Sequence, residues 1–334
     1  MIISKIKLNN FRCHEEYLLA CRKKTTLIVG ENGCGKTSVL EAIYEALRGK
    51  SFRAVDRDIL KRGAEYYRVE LDFADGEKTV VTFDGDHKQF LVGGKKWSRL
   101  PKKYRYSVVL FLPDDLHLVG ASPGRKRDYF DRSFSEILEN YSSSLSKYNK
   151  ALRQRNELLK SEFLSKDSLF SWNVMLAKYG CEVRKWRVAE ILAINRRLTE
   201  VYRTIADNED VVEVKYEMMG GEMDESGYLA RLEAEFERDK IIGHTGFGVH
   251  RDNYEFIFNS KMADGSASRG EVRSIILALK FIEADMIYEK VGKKPVVLLD
   301  DVFSELDEKR QKCLVQNFKD NQVIITSVDY FDGD

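Results

Sequence analysis

Residues 30–37 read Gly30-Glu31-Asn32-Gly33-Cys34-Gly35-Lys36-Thr37, and no other stretch limits so sharply what this chain can fold into. The pattern is G-x-x-x-x-G-K-[ST]. It follows the short apolar run Thr25–Val29 and opens the helical pattern Thr37–Leu47, which is the strand–loop–helix order the motif requires. Glycines at 30, 33 and 35 permit backbone angles that turn successive N–H groups inward on phosphate oxygens, and the helix N-terminus adds its positive end. Lys36 is expected to reach the β- and γ-phosphates and Thr37 to set its hydroxyl on a magnesium ion, with Ser38 next in the first helical turn. The bland alternative is a glycine-rich turn with no chemistry. The flanking strand and helix weigh against it.

A second constellation lies far along the chain. Val296-Val297-Leu298-Leu299-Asp300-Asp301 is an apolar strand ending in two carboxylates. Side by side, two acids repel and lose hydration unless a cation is near. Asp300 is expected to hold magnesium, directly or through water, and Asp301 to polarise an attacking water. Alone, the pair reads as two solvated aspartates at a turn, but beside Lys36 and Thr37 the metal reading prevails. Ser304-Glu305-Leu306-Asp307 follows, and by itself reads as a helix N-cap with acids in the first turn. Ala267-Ser268-Arg269-Gly270-Glu271 precedes a helix over 271–290. The Ser268 hydroxyl, the Gly270 N–H and the helix dipole make an anion site there, or else a plain cap.

Between these motifs the pattern changes twice. Ile2–Leu8, Tyr66–Phe73, Lys78–Phe83 and Gln89–Val92 read as strands. Asp75-Gly76 and Asp84-Gly85 fall between them as turns, which gives an antiparallel meander. Ser107–Leu112 is a buried strand. Proline is absent from 124 to 294, so long helices are permitted, and 125–206 shows helical spacing. Val211–Met218 is a strand and Gly227–Lys240 a helix. Tyr254–Phe258 and Val323–Thr326 are strands again. The expected architecture is a discontinuous α/β head of residues 1–122 and 243–334 with a helical arm inserted over 123–242.

The 334 residues suit two domains. With 55 Lys and Arg against 54 Asp and Glu, the net charge is +1, so no global field draws the chain to nucleic acid or membrane. The cysteines at 13, 21, 34, 181 and 313 lack metal-ligand spacing, and Cys34 in a phosphate loop suits a reducing cytoplasm. The start of the chain has no leader pattern, and no run reaches the roughly 20 apolar residues of a membrane helix.

The order of phosphate loop, serine-glycine cap, acidic strand and Ser-Glu-Leu-Asp resembles the ABC-type ATPase head, a mixed sheet around a P-loop with an antiparallel β lobe. Further segments resemble the RecF family of bacterial DNA replication and repair proteins. They are Asn9-Asn10-Phe11-Arg12, Gly49-Lys50-Ser51-Phe52-Arg53, Phe111-Leu112-Pro113-Asp114-Asp115-Leu116, Ser122-Pro123-Gly124-Arg125-Lys126-Arg127, Tyr148 with Ala151–Asn156, and Gly248-Val249-His250-Arg251-Asp252. The resemblance covers nearly the whole chain. Val249 departs from the family's proline, Asp114 from a glutamate and Glu271 from a glutamine. Against ABC ATPases at large, Arg269 replaces glycine and Asp301 the catalytic glutamate, and both look like RecF. No histidine follows His250, and Thr326-Ser327 takes the place of a late switch histidine. With Asp334 the last residue, the family's C-terminal segment is expected to be short or missing.

The resemblance implies ATP and Mg2+ as cofactors, with the nucleotide held by Gly30 to Ser38 and Ser268 to Glu271. The second group would act on a partner's γ-phosphate, so that ATP joins two heads. It implies a weak DNA-stimulated ATPase whose slow hydrolysis, favoured by the short acid at 301, opens a homodimer on DNA. It also implies double- and single-stranded DNA at gaps, a RecR-type mediator as partner and support of recombinase loading. For DNA, Arg125, Lys126, Arg127 and Arg132 form one basic cluster, and Arg184, Lys185, Arg187, Arg196 and Arg197 another. Each could equally be a solvated helix face. His250-Arg251-Asp252 reads as an ion-pair corner or a nucleotide-sensing surface. Two other classes compete. An SMC-like structural head would carry a longer coiled coil than roughly 120 residues can build. A transporter ATP-binding subunit would need a glutamine loop and usually a late histidine.

Overall fold

A computed structural model describes residues 2–161 and 165–328. Two compact units form, one from residues 1–114 and 283–334, the other from 115–282.

In the first unit the meander becomes a six-stranded antiparallel sheet ordered His14–Ala20, Ile3–Phe11, Tyr67–Phe73, Lys78–Phe83, Lys88–Val92, Lys95–Trp97. Tyr67–Phe73 buries every second residue, as a strand with one face on the core must. His14–Ala20 carries no such alternation and the sequence reading leaves it unassigned. It is an edge strand with no buried residue. A second sheet is wholly parallel, ordered Thr25–Val29, Val323–Ser327, Val296–Asp300, Val108–Phe111. Val296–Asp300 is buried throughout, which is why it reads as a continuous apolar run rather than an alternating one.

Helix Lys36–Arg48 packs on both sheets and joins them into one core. Val39, Ile43 and Leu47 of the helix cluster with Leu8, Val69 and Leu71 of the antiparallel sheet and with Leu298 and Ile324 of the parallel one. Full burial of each such side chain stabilises the fold by roughly 1.5–3 kcal/mol. The helix stops where Arg48 meets Gly49, whose φ of 82° lets its N–H return to the Glu45 carbonyl.

The second unit contains helices Pro123–Ile137, Glu139–Leu159 and Lys166–Ala206, the last 41 residues long and so about 60 Å. Ser122 and Ser165 cap the first and last of these. The helix read over 227–240 is two helices, Glu225–Ala234 and Phe236–Ile242, which meet at Glu235. Strand Asn253–Phe258, placed with the head by sequence reading, pairs antiparallel with Val212–Glu217. That ladder ties 253–258 to the second unit, whose limits therefore differ from a 243 boundary.

This unit holds a buried polar network. Arg187 is 1% exposed and donates to Asp131, Tyr141 and the Val249 carbonyl. Arg184 is 4% exposed and forks onto the two oxygens of Asp252, at 3.1 and 2.7 Å. Lys126 is also buried, and Arg132 pairs with Asp115. Lys126, Arg184 and Arg187 are therefore internal, and a guanidinium held by carboxylates in the core has no face left for DNA phosphate; Arg125, Lys185 and Arg196 of the same two clusters are exposed. His250 and Asp252 belong to the same network, and Asp252 is ion-paired there with Arg184, while Arg251 is exposed.

Candidate nucleotide site

The phosphate loop occupies the C-terminal end of strand Thr25–Val29, and the parallel register carries other ends to the same edge. Ser327 lies opposite Val29, and Thr326 opposite Asp300. The Gly30 N–H donates to the Ser327 carbonyl at 3.3 Å. Within the loop, Glu31 to Cys34 are exposed, and the Cys34 N–H donates to the Glu31 carbonyl at 3.3 Å. Gly35 caps the helix with φ 99°, and a side chain there would collide with Cys13 and His14 at the tip of the first hairpin. His14 Nε2 donates to the Gly35 carbonyl at 3.1 Å. Only glycine meets both demands at 35.

Lys36 lies almost buried, with Nζ donating to the carbonyls of Gly30 at 2.6 Å and Glu31 at 3.0 Å, so its charge sits inside the curl of the loop. Thr37 Oγ1 donates to Asp300 Oδ1 at 2.8 Å, and Thr326 Oγ1 donates to the same oxygen at 2.9 Å. Burial pushes the Asp300 carboxyl above its ordinary range, and these two hydroxyls pull it back only in part. A cation would remove that penalty. Asp301 takes φ 52°, a left-handed conformation that aspartate tolerates, and its N–H donates to Thr326 Oγ1 at 2.9 Å. Among the described residues its Oδ1 is buried without a hydrogen-bond partner. An orphaned buried carboxylate oxygen is costly and marks a position where a ligand or water completes the site.

These groups fit magnesium nucleotide. Among the described residues no group of three or more His, Cys, Asp or Glu could cage a metal. One carboxylate and one hydroxyl suit a magnesium ion that keeps its waters and takes oxygens from phosphates.

A charged side chain that sequence reading passed over organises the helix behind the loop. Glu41 is fully buried and receives Arg12 Nε and Nη2 at 2.9 and 2.8 Å, Ser51 Oγ at 2.6 Å and Arg53 Nε at 2.9 Å. Burial raises its carboxyl, but these donors together bring it below the ordinary value. Arg53 also reaches Ser38 Oγ at 3.4 Å. The motifs Asn9–Arg12 and Gly49–Arg53 thus meet on one carboxylate. The available signal was Glu41 and Glu45 at i, i+4 on the face of a helix otherwise apolar.

Ser268 and Glu271 lie in the second unit and close a capping box. Ser268 N–H donates to Glu271 Oε2 at 2.6 Å, and Glu271 N–H to Ser268 Oγ at 3.3 Å. Ser268 and Arg269 are exposed, with Gly270 and Glu271 half-buried. The glutamate at 271 has a structural reason, since its carboxylate serves the cap. Asp307 caps Glu308–Asn317, as the Ser-Glu-Leu-Asp segment suggests.

A phosphate loop on a parallel sheet, an acidic strand beside it and an antiparallel lobe define a P-loop ATPase head of the kind shared by ABC-type and SMC proteins. A family model described as an AAA ATPase domain matches residues 1–171. A DNA replication and repair protein RecF from Lachnoclostridium phytofermentans is 31% identical over 98% of this chain and 92% of its own length. Its counterpart from Ruminiclostridium cellulolyticum is also 31% identical over the same shares. A solved structure of the recombination mediator protein RecF with ATP, in the RecFOR pathway, superposes with a TM-score of 0.87 at 29% identity, covering 100% of this chain and 93% of that one. An Smc head domain from Pyrococcus furiosus shares the fold at TM-score 0.50 and 15% identity, over 98% of this chain and 90% of its own. The chain belongs to the RecF family of DNA replication and repair proteins. Among the described residues no helix is long and apolar enough to cross a membrane.

Proposed function

We propose that the chain is an ATP-driven switch that closes as a dimer on DNA and reopens when ATP is slowly hydrolysed. The observation that carries this reading is the convergence of Thr37, Asp300 and the orphaned oxygen of Asp301 beside the phosphate loop. Gly30 to Ser38 would wrap the phosphates, with Lys36 exchanging its loop carbonyls for phosphate oxygens. Thr37 and Asp300 would hold magnesium, which when bound neutralises charge on the phosphates. Asp301 would accept a proton from the attacking water. It is one carbon shorter than glutamate, and no histidine follows it in the chain. Both features favour slow turnover.

Ser268, Arg269, Gly270 and Glu271 would complete the nucleotide site of a second copy, with the exposed cap facing the partner's γ-phosphate. The head in this sense includes that cap, and the helical arm begins near residue 123. DNA at gaps, both double- and single-stranded, and a RecR-type mediator would be the partners. The cytoplasm would be the compartment, and recombinase loading the outcome. The 41-residue helix is far from the rod of a structural SMC protein.

The test is to size the protein with ATP, with ADP and with a non-hydrolysable triphosphate, and to repeat it with Ser268→Arg. The dimer is expected with triphosphate only and is expected to vanish in the variant. Normal pairing by Ser268→Arg at saturating triphosphate overturns the reading.

A further inference from the structure

We infer that DNA phosphates are gripped by a basic surface of the first unit, built from Lys95, Lys96, Arg99, Lys103, Arg105 and Lys293. The inference rests on the DNA binding proposed above and supplies its location.

Between Asp86 and Asp114 the chain carries seven Lys or Arg and no Asp or Glu, in a protein whose net charge is only +1. One of the seven, Lys88, turns inward to Glu45 and Asp56. Lys95, Lys96, Arg99, Lys103 and Arg105 are exposed, and among the described residues none of them has a carboxylate as ion-pair partner. Elsewhere on this unit several surface cations are answered, Lys61 by Glu15, Arg68 and Lys78 by Glu70, Arg57 by Asp86, and those that are not among the described residues, such as Lys23, Lys50 and Arg62, are not joined by so long a run without an acid. A concentration of unanswered charge calls for an anionic partner.

A second segment converges on the same place. Lys293 and Lys294, in the turn before strand Val296–Asp300, line one pocket of about 250 Å³ together with Lys103 and Arg105. Lys293 is exposed and, among the described residues, lacks an ion pair, while Lys294 meets Asp320 at 2.9 Å. Strand Val296–Asp300 begins here and Ser107 directly precedes strand Val108–Phe111, so the pocket lies at the end of the parallel sheet opposite the phosphate loop. Nucleotide and this surface therefore do not compete for the same cations.

Lysines on an edge strand also guard against stray strand pairing, and that suffices for Lys95 and Lys96. It does not account for Arg99, Lys103, Arg105 or Lys293, which lie outside any strand. The neighbouring aromatics are already engaged. Trp97 Nε1 donates to the Val92 carbonyl, and the Tyr104 hydroxyl occupies the space a side chain at Gly93 would need. The surface offers charge rather than open rings, so it holds backbone phosphate without reading sequence.

The test uses Lys96→Glu/Arg99→Glu/Lys103→Glu and the milder Lys96→Gln/Arg99→Gln/Lys103→Gln. Binding of a fluorescent gapped duplex is measured by anisotropy across a salt series with non-hydrolysable triphosphate present, and dimerisation is sized in parallel. Both variants are expected to pair normally. Their affinity for DNA should fall, and the slope of log K against log salt should shrink by about 0.9 for each phosphate no longer neutralised. Unchanged affinity and slope in variants that still pair overturn the surface, and leave an acidic protein as its occupant. Failure of the wild-type protein to pair with triphosphate or to bind DNA counts instead against the proposed function.

Discussion

Thr37 Oγ1 and Asp300 Oδ1 lie 2.8 Å apart although 263 residues separate them in sequence. The parallel sheet produces this closeness, because strands Thr25–Val29 and Val296–Asp300 flank Val323–Ser327 and end at the same edge. The Asp300 carboxyl is held above its ordinary range by burial, so it gains most from a cation. Asp300→Asn keeps an acceptor oxygen for Thr37 and Thr326 but removes the charge. Magnesium-dependent ATP affinity is expected to fall by about 10–100-fold, while thermal stability holds. Titration calorimetry with and without magnesium, beside a melting curve, reads both. Equal magnesium dependence in the two proteins contradicts the assignment.

Glu41 is the buried anchor for Arg12, Ser51 and Arg53. Glu41→Ala strands two guanidinium groups at the edge of the core and is expected to destabilise the fold by about 3 kcal/mol. That is the low end for a broken buried pair, because Arg12 and Arg53 are 23% and 38% exposed and can turn to water. Urea unfolding measures it. A change below roughly 0.5 kcal/mol, the range of an ordinary surface substitution, would show that the cluster is ornamental to stability.

Asp301 Oδ1 has no hydrogen-bond partner among the described residues, so replacing the carboxylate removes little that the fold uses. Asp301→Asn also suits the left-handed backbone at 301. Single-turnover hydrolysis is expected to drop by roughly 10²–10⁴ with nucleotide binding intact, so the triphosphate dimer should persist far longer. Hydrolysis at the wild-type rate removes Asp301 from the chemistry.

Much of this was legible because the signals are local. Thr25–Val29, Lys78–Phe83 and Val296–Asp300 have their expected bounds, since apolar runs closed by turns or charges define a strand without reference to its neighbours. What was not legible depends on which distant strand lies beside which. Nothing in Tyr254–Phe258 announces Val212–Glu217 as its partner, and that pairing moves the unit boundary. Arg184 and Arg187 read as solvent-facing for a related reason. A 41-residue helix with charge on every face does not reveal which cations meet Asp131 and Asp252 until those segments fold against it. Ser268 and Glu271, three residues apart, form their cap as the local pattern suggests.

The burial of Arg187 separates stability from DNA binding. Its removal leaves Asp131 without its main partner inside the second unit. Arg187→Ala is expected to cost about 3–5 kcal/mol. DNA affinity per folded molecule should stay unchanged, as measured by anisotropy on protein whose folded fraction is known from circular dichroism. Loss of DNA affinity without loss of stability would return this arginine to the interface.

His250 sets an acid limit on the second unit. The Thr245 carbonyl can only accept, so Nε2 carries the proton and Nδ1 accepts from the Tyr148 hydroxyl at 2.8 Å. The ring is thus held neutral. Burial, with Arg251 and Arg127 adding to it, pushes its pKa down to about 4 from 6.5. Between these values the unfolded chain binds a proton that the folded one refuses. Stability is therefore complete above pH 6.5 and falls as the pH drops toward 4, by up to roughly 3 kcal/mol from this group. His250→Gln cannot take up that proton. Its unfolding free energy in urea should change less between about pH 7.5 and 5 than that of the wild type. Parallel pH dependence in the two proteins would place the acid sensitivity elsewhere.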